Sequence, residues 1–118
     1  MALSKEDILS ADDLKREVVK VKEWGGEVIV RTMTGAERVA FEDSVALNSG
    51  ADRQINMKNF LEKLVVATVV DDKGVLMFTQ ADVVALSGKS ASALLRVARV
   101  SQKLNGLTDD DVEGLIKN

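Results

Sequence analysis

The stretch Val18 to Glu42, VVKVKEWGGEVIVRTMTGAERVAFE, decides the fold. Val19 and Val21, then Val28 and Val30, keep a period of two, with charged Lys20, Lys22, Glu27 and Arg31 around them and Gly25-Gly26 at the break. β-Branched residues on both arms and glycines at a position that favours positive φ predict a β-hairpin over about residues 18–32. A helix entry follows at once. In Thr34-Gly-Ala-Glu37 the Thr34 hydroxyl can accept from the Glu37 amide while the Glu37 carboxylate reaches back to the Thr34 amide, which is a capping box.

Upstream, Ser4-Lys-Glu-Asp7 and Ser10-Ala-Asp-Asp13 each place a serine three residues before an acid, predicting two short helical turns supported by Ile8, Leu9 and Leu14. Residues 1–15 therefore read as an N-terminal helical arm, either docked on the body as a partly mobile segment or docked on a neighbouring subunit.

Downstream, Ala40, Phe41, Val45 and Leu47 share one side of a helix ending near Asn48-Ser-Gly50, and the polar residues Ala51 to Asn56 read as a mobile loop. Met57, Phe60, Leu61, Leu64 and Val65 follow the i, i+3, i+4, i+7, i+8 template of a core helix. Its continuation, Val66 to Val70, is either buried on all sides or a strand. Asp71 to Gly74 then forms a turn, Val75 to Phe78 a short strand, and Thr79 to Asp82 the cap of a helix that Gly88 stops. The last long helix is expected from Ser90 to Leu104 with Leu94, Val97, Ala98 and Leu104 inward and Asn105-Gly106 as its stop. Thr108-Asp-Asp-Asp111 would cap a terminal helix, Val112 to Ile116. The predicted class is α+β, mostly helical, with one small hairpin packed by four or five helices in a single domain spanning residues 1–118.

Composition narrows the chemistry. With no cysteine, histidine or tyrosine, the chain offers no thiolate, imidazole or phenol, and the reading is that it is not an enzyme and needs no cofactor or metal. The triple acid Asp109 to Asp111 fits helix capping, since the EF-hand glycine and distal glutamate are missing. Glu23 and Glu27 flank the glycines without a pocket-forming context and read as a solvated turn rather than an acid/base pair. Ser87-Gly-Lys-Ser90 is not a P-loop, because its first glycine would fall at Val83. A net charge of −3 argues against a dedicated nucleic-acid binder. No apolar run reaches about 18 residues, which predicts no membrane association, and the first residues lack a signal-peptide pattern, which predicts residence in the cytoplasm.

Candidate partner-binding residues are therefore surface features. Trp24, the one tryptophan, either folds back on the core or anchors an interface. Lys89, Arg96, Arg99 and Lys103 recur at +7, +3 and +4, placing four cations on one helix side, either as a solvated face, as a dock for an acidic partner or as a nucleic-acid surface.

The order of these devices resembles one family. The hairpin V-x-V-x-E-W-G-G-x-V-x-V-R with a T-G-x-E-R helix start, carried by Trp24 to Gly26, Val28, Val30, Arg31, Thr34, Gly35, Glu37 and Arg38, is similar to the tail assembly chaperones of long-tailed, non-contractile bacteriophages. Lys22 stands where family members often have proline. Asp71-Asp-Lys-Gly74 to Phe78, Thr79 to Val83, and Leu104-Asn-Gly-Leu-Thr-Asp-Asp-Asp-Val-Glu113 extend the likeness over nearly the whole chain. The resemblance implies a non-virion assembly factor of the host cytoplasm that coats and solubilises the tape measure protein, helps recruit tail tube subunits, and self-associates. It also implies a longer form made by −1 ribosomal frameshifting near the end of the short gene, with which a slippery A-AAA-AAC coding of Ile116-Lys-Asn118 is compatible. The competing classes are a small regulatory or host-interaction protein binding nucleic acid through the basic helix face, and a structural subunit retained in the virion.

Overall fold

The computed structural model describes residues 1–46 and 57–107. Its elements in chain order are α1 (Lys5–Ser10), β1 (Arg16–Val21), a 3-10 turn (Lys22–Trp24), β2 (Gly26–Arg31), α2 (Gly35–Val45), α3 (Phe60–Thr68), β3 (Val69–Val70), a second 3-10 turn (Gln80–Asp82), α4 (Val83–Ser87) and α5 (Ala91–Leu104). The strands form an antiparallel sheet in the order β1-β2-β3, so the α+β reading with five helices among the described residues holds.

The hairpin pairs Val19 with Val28 and Val21 with Gly26. Alternation sends Val19, Val21 and Val30 inward, where each is at least nine-tenths buried, while Val18 faces out. The expected Gly-Gly turn is replaced by a four-residue loop, Lys22 to Gly25, and Gly26 already belongs to β2. Gly25 alone takes a positive φ, 76°, and its N–H closes the 3-10 turn on the Lys22 carbonyl at 3.1 Å. The extra length lets Trp24 turn back onto the core.

Two apolar clusters share α3 and α5. The first joins the inner sheet face to Val65, Val66 and Val69, to Val83 and Leu86 of the α4 region, and to Ala93, Leu94 and Val97. The second gathers Phe41, Val45, Phe60, Leu64, Ala98 and Leu107, with the Phe41 and Phe60 rings edge-on at 5.9 Å. The stretch Val66 to Val70 resolves both ways: α3 runs to Thr68, then the chain extends as β3.

Capping chemistry places the helix starts. Thr34 and Glu37 make the expected box, Glu37 N–H to the Thr34 hydroxyl at 3.1 Å and Thr34 N–H to the Glu37 carboxylate at 2.9 Å. Ser4 and Asp7 do the same for α1. The Thr79 and Asp82 box opens a 3-10 turn before α4 rather than α4 itself. Ser90 caps α5, and Gly106 at φ 67° follows its end.

Several expectations are corrected. No helix follows Ser10, whose hydroxyl instead donates back to the Glu6 carbonyl at 2.7 Å. Ile8 and Leu9 do not support α1 but stand 57% and 74% exposed, and only Leu14 of the arm is partly covered. Ala40 is exposed on α2, and Met57 precedes α3, 60% exposed. Val75 to Phe78 is not a full strand. It runs beside β3 through a Val70–Leu76 bridge, with Asp71 N–H on the Val75 carbonyl at 2.9 Å and Met77 N–H on the Val69 carbonyl at 3.1 Å. Leu47, the Ala51 to Asn56 loop and the Thr108 to Ile116 helix lie outside the described residues.

Candidate docking groove

The chemistry of the surface gathers around Trp24. Its ring packs against the sheet cluster together with Val28 and Phe78, and remains partly exposed. One residue earlier, the Glu23 carboxylate accepts from both terminal nitrogens of Arg96 on α5, at 2.7 and 3.0 Å. This fork-to-fork pair fixes the hairpin loop on α5 and sets where Trp24 leaves the backbone. The Arg96 guanidinium, together with the Glu23 backbone N–H, holds the Glu23 carboxyl down at about 2, well below the usual carboxylate range. The pair also raises the Arg96 pKa.

Trp24 and Phe78 form the wall between two cavities. One, of about 660 Å³, lies along Val18, Ile29 and Met77 and reaches Glu27, Asp71 and Asp72. The other, of about 500 Å³, lies against Ala85 and Leu86 with Glu23, Asp82 and Lys89 at its edge. Both are mainly apolar, and the charged residues along them are mostly acidic.

A second ionic joint orders the far end of the hairpin. Arg31 donates to both Glu37 oxygens, at 2.6 and 2.7 Å, and to the Gly74 carbonyl at 2.8 Å. Burial pushes the Glu37 carboxyl up, but the Thr34 N–H and the Arg31 guanidinium outweigh it and leave the group below its ordinary value. Thus β2, α2 and the Asp71–Gly74 turn are bound through one side chain.

The five candidate residues separate in space. Trp24 and Arg96 meet through Glu23, and Lys89 joins Trp24 at the smaller cavity. Lys89 is not on α5, which starts at Ala91; it sits in the turn before it. Arg96 is engaged by its carboxylate, so the expected four-cation stripe leaves Arg99 and Lys103 as the exposed cations of α5. Sequence reasoning missed Met77 and Phe78 as groove walls. The signal was present in an apolar run beginning one residue after a turn, too short to be a central strand. Glu23 and Glu27 are not a carboxylate pair, because Glu23 is committed to Arg96. Among the described residues no group of three or more His, Cys, Asp or Glu is placed to hold a metal ion. No described helix is long and apolar enough to cross a membrane.

These features define a small α+β fold, a three-stranded sheet backed by α3 and α5 with two apolar cavities at the hairpin tip. The solved structure of the bacteriophage HK97 tail assembly chaperone has this fold: it superposes with a TM-score of 0.59 over 88% of this chain and 95% of that one, at 15% sequence identity. No protein-family model matches the sequence, and no curated protein sequence matches it.

Proposed function

We propose that the chain is a phage tail assembly chaperone: it binds and solubilises the tape measure protein and helps recruit tail tube subunits in the host cytoplasm, without remaining in the virion. The observation that carries the reading is the shared fold with the HK97 chaperone across nearly the full length of both chains. The order of sequence devices supports it independently. The role is that of a binding protein rather than an enzyme.

Such a protein works by coverage. Many weakly binding copies can coat a long apolar filament if each also touches its neighbour, because linked contacts gain from effective concentration. Head-to-tail contacts of that kind generate rings or open spirals rather than closed dimers. Leu3, Ile8 and Leu9 of the exposed arm are the side chains available for such contacts, at 70%, 57% and 74% exposure. The nucleic-acid alternative draws less support from the geometry, because Glu23 neutralises Arg96 at the centre of the basic face.

Co-expression with the tape measure protein encoded by the same phage tests the reading. The expected result is a several-fold rise in the soluble tape measure protein and its co-purification with the chaperone. A tape measure protein that stays in the pellet at every expression ratio, with this chain soluble and folded, overturns it.

A further inference from the structure

Among the described residues the sheet is left open along the outer edge of β1 and, on the other side of the hairpin, beside Glu27. Thr32 N–H donates to the Lys15 carbonyl at 2.9 Å, which makes residues 15 and 32 a hydrogen-bonded pair. In an antiparallel ladder such pairs alternate, so the next are Glu17 with Val30, Val19 with Val28 and Val21 with Gly26. Glu27, Ile29 and Arg31 therefore turn their N–H and C=O groups the other way, toward β3. Ile29 meets Val70 there, but β3 ends at Val70, and Asp72, which the same register would set opposite Glu27, makes no backbone hydrogen bond to it. The backbone groups of Glu27 face a gap where a longer β3 would have run.

That gap opens into the larger cavity, where Glu27 is a lining residue beside Val18, Trp24, Ile29, Met77 and Phe78. Val18, Ile29 and Val70 are cross-strand neighbours and make an apolar row along its floor. The rim carries the carboxylates of Glu27, Asp71 and Asp72, and no lysine or arginine lines it. Outside the cavity, Lys20 stands opposite Glu27 on β1 and Arg16 reaches the Asp72 carbonyl at 3.5 Å, so two cations neighbour a lining that itself carries three carboxylates. An exposed donor and acceptor beside an apolar floor is a template for strand addition, and the acidic rim selects a cationic occupant.

We propose that this notch receives a short extended segment of a partner polypeptide, apolar at alternate positions and flanked by lysine or arginine, which pairs with Glu27 as an added strand and continues the line of β3. The arm of a second copy fits poorly, because its apolar residues lie among Glu6, Asp7, Asp12 and Asp13, which would meet like charge at the rim. The inference goes beyond the chaperone reading and holds for any partner offering such a segment.

The test uses the full chain and a blocked Lys-Val-Thr-Val-Lys peptide, read by the single tryptophan's fluorescence and by hydrogen exchange at the Glu27 amide. Expected are a saturable Trp24 signal, slowed exchange at Glu27, and weaker binding with rising salt. Glu27→Lys with Asp72→Lys should weaken binding roughly fivefold without lowering the melting temperature, and Glu27→Lys alone serves if the double change loosens the turn. Any of four results overturns the proposal. These are no saturable signal at millimolar peptide, an acid-flanked peptide binding equally well, a helix-locked peptide of the same side chains binding equally well, or a Glu27 amide indifferent to a peptide that Trp24 reports. A Trp24 signal that changes with protein concentration alone would assign the notch to a second copy and overturn it too. Success or failure here leaves the tape measure co-expression result free to fall either way.

Discussion

Thr68 at the end of α3 and Ser101 in the last turn of α5 bring their hydroxyls to 2.7 Å at full burial, joining the two helices that both apolar clusters share. Each hydroxyl also approaches a carbonyl one turn back, Leu64 at 2.7 Å and Val97 at 3.0 Å, so two protons serve three contacts. If one partner goes, the other keeps its own carbonyl. Thr68→Val should cost about 0.5–1.5 kcal/mol, because the Ser101 hydroxyl loses its contact with α3 but still donates to the Val97 carbonyl. Thr68→Val combined with Ser101→Ala should cost less than the sum of the two single changes, giving a non-additive cycle in urea unfolding. Additive losses would show that the two hydroxyls do not depend on each other.

Asn105 closes the same end of α5, one turn after Ser101. Its side-chain oxygen accepts from Met33 N–H at 2.6 Å, its amide nitrogen donates to the Ser101 carbonyl at 2.9 Å, and its own carbonyl accepts from Arg38 at 3.2 Å. Asn105→Ala should destabilise by about 1–3 kcal/mol, since the partly buried Met33 amide loses its acceptor. Asn105→Asp keeps that acceptor but turns a carboxylate oxygen onto the Ser101 carbonyl at the negative end of α5, so its cost should shrink on acidification, as that oxygen takes a proton and can donate, whereas the cost of Asn105→Ala should not. A cost of Asn105→Asp that is unchanged between neutral and acid pH would contradict this.

Asn105 also shows what the sequence did and did not carry. Asn-Gly after an amphipathic run is a helix stop by local rules, and α5 ends there. That the asparagine also bonds the β2–α2 connection, 72 residues earlier, is a tertiary fact that no local pattern holds. The same division runs through the rest. The hairpin arms and the Thr34–Glu37 box depend on neighbours in sequence and were legible. The loop at Trp24 was not, since Gly25-Gly26 satisfies a tight turn locally and only the distant Arg96 rewards Glu23 for a longer one. For the groove, Trp24 was legible as a lone large aromatic. Its walls at Met77 and Phe78 required knowing that β3 stops after two residues.

The Glu23–Arg96 pair should be visible on acidification. Its carboxyl sits at about 2 in the folded chain against 4.5 for a free group, so the folded state binds this proton less readily than the unfolded one. The contribution is fully present above about 4.5 and is lost as pH falls through the interval down to about 2. Trp24 fluorescence, reporting the adjacent residue, should therefore change late in an acid titration. Arg96→Gln should move that change toward the ordinary carboxylate range. A wild-type midpoint near 4.5 would mean that the pair does not hold in solution.

Gly74 is the position where the outer turn tolerates least. It takes φ 83° to finish the Asp71 turn, where Asp71 accepts from Lys73 N–H at 2.8 Å and Val75 N–H at 3.1 Å, and its carbonyl receives Arg31. A Cβ here would be strained by the backbone angle and would run into the Arg16 guanidinium. Gly74→Ala should cost about 1–2 kcal/mol from the left-handed conformation alone, plus whatever the displacement of Arg16 adds. Arg16 is exposed and flexible, so Arg16→Ala in the Gly74→Ala background should return only the steric part, and the backbone part should remain in the unfolding free energy. Full recovery in the double variant would show that the turn relaxes its φ without cost, and that Arg31, not the glycine, defines its shape.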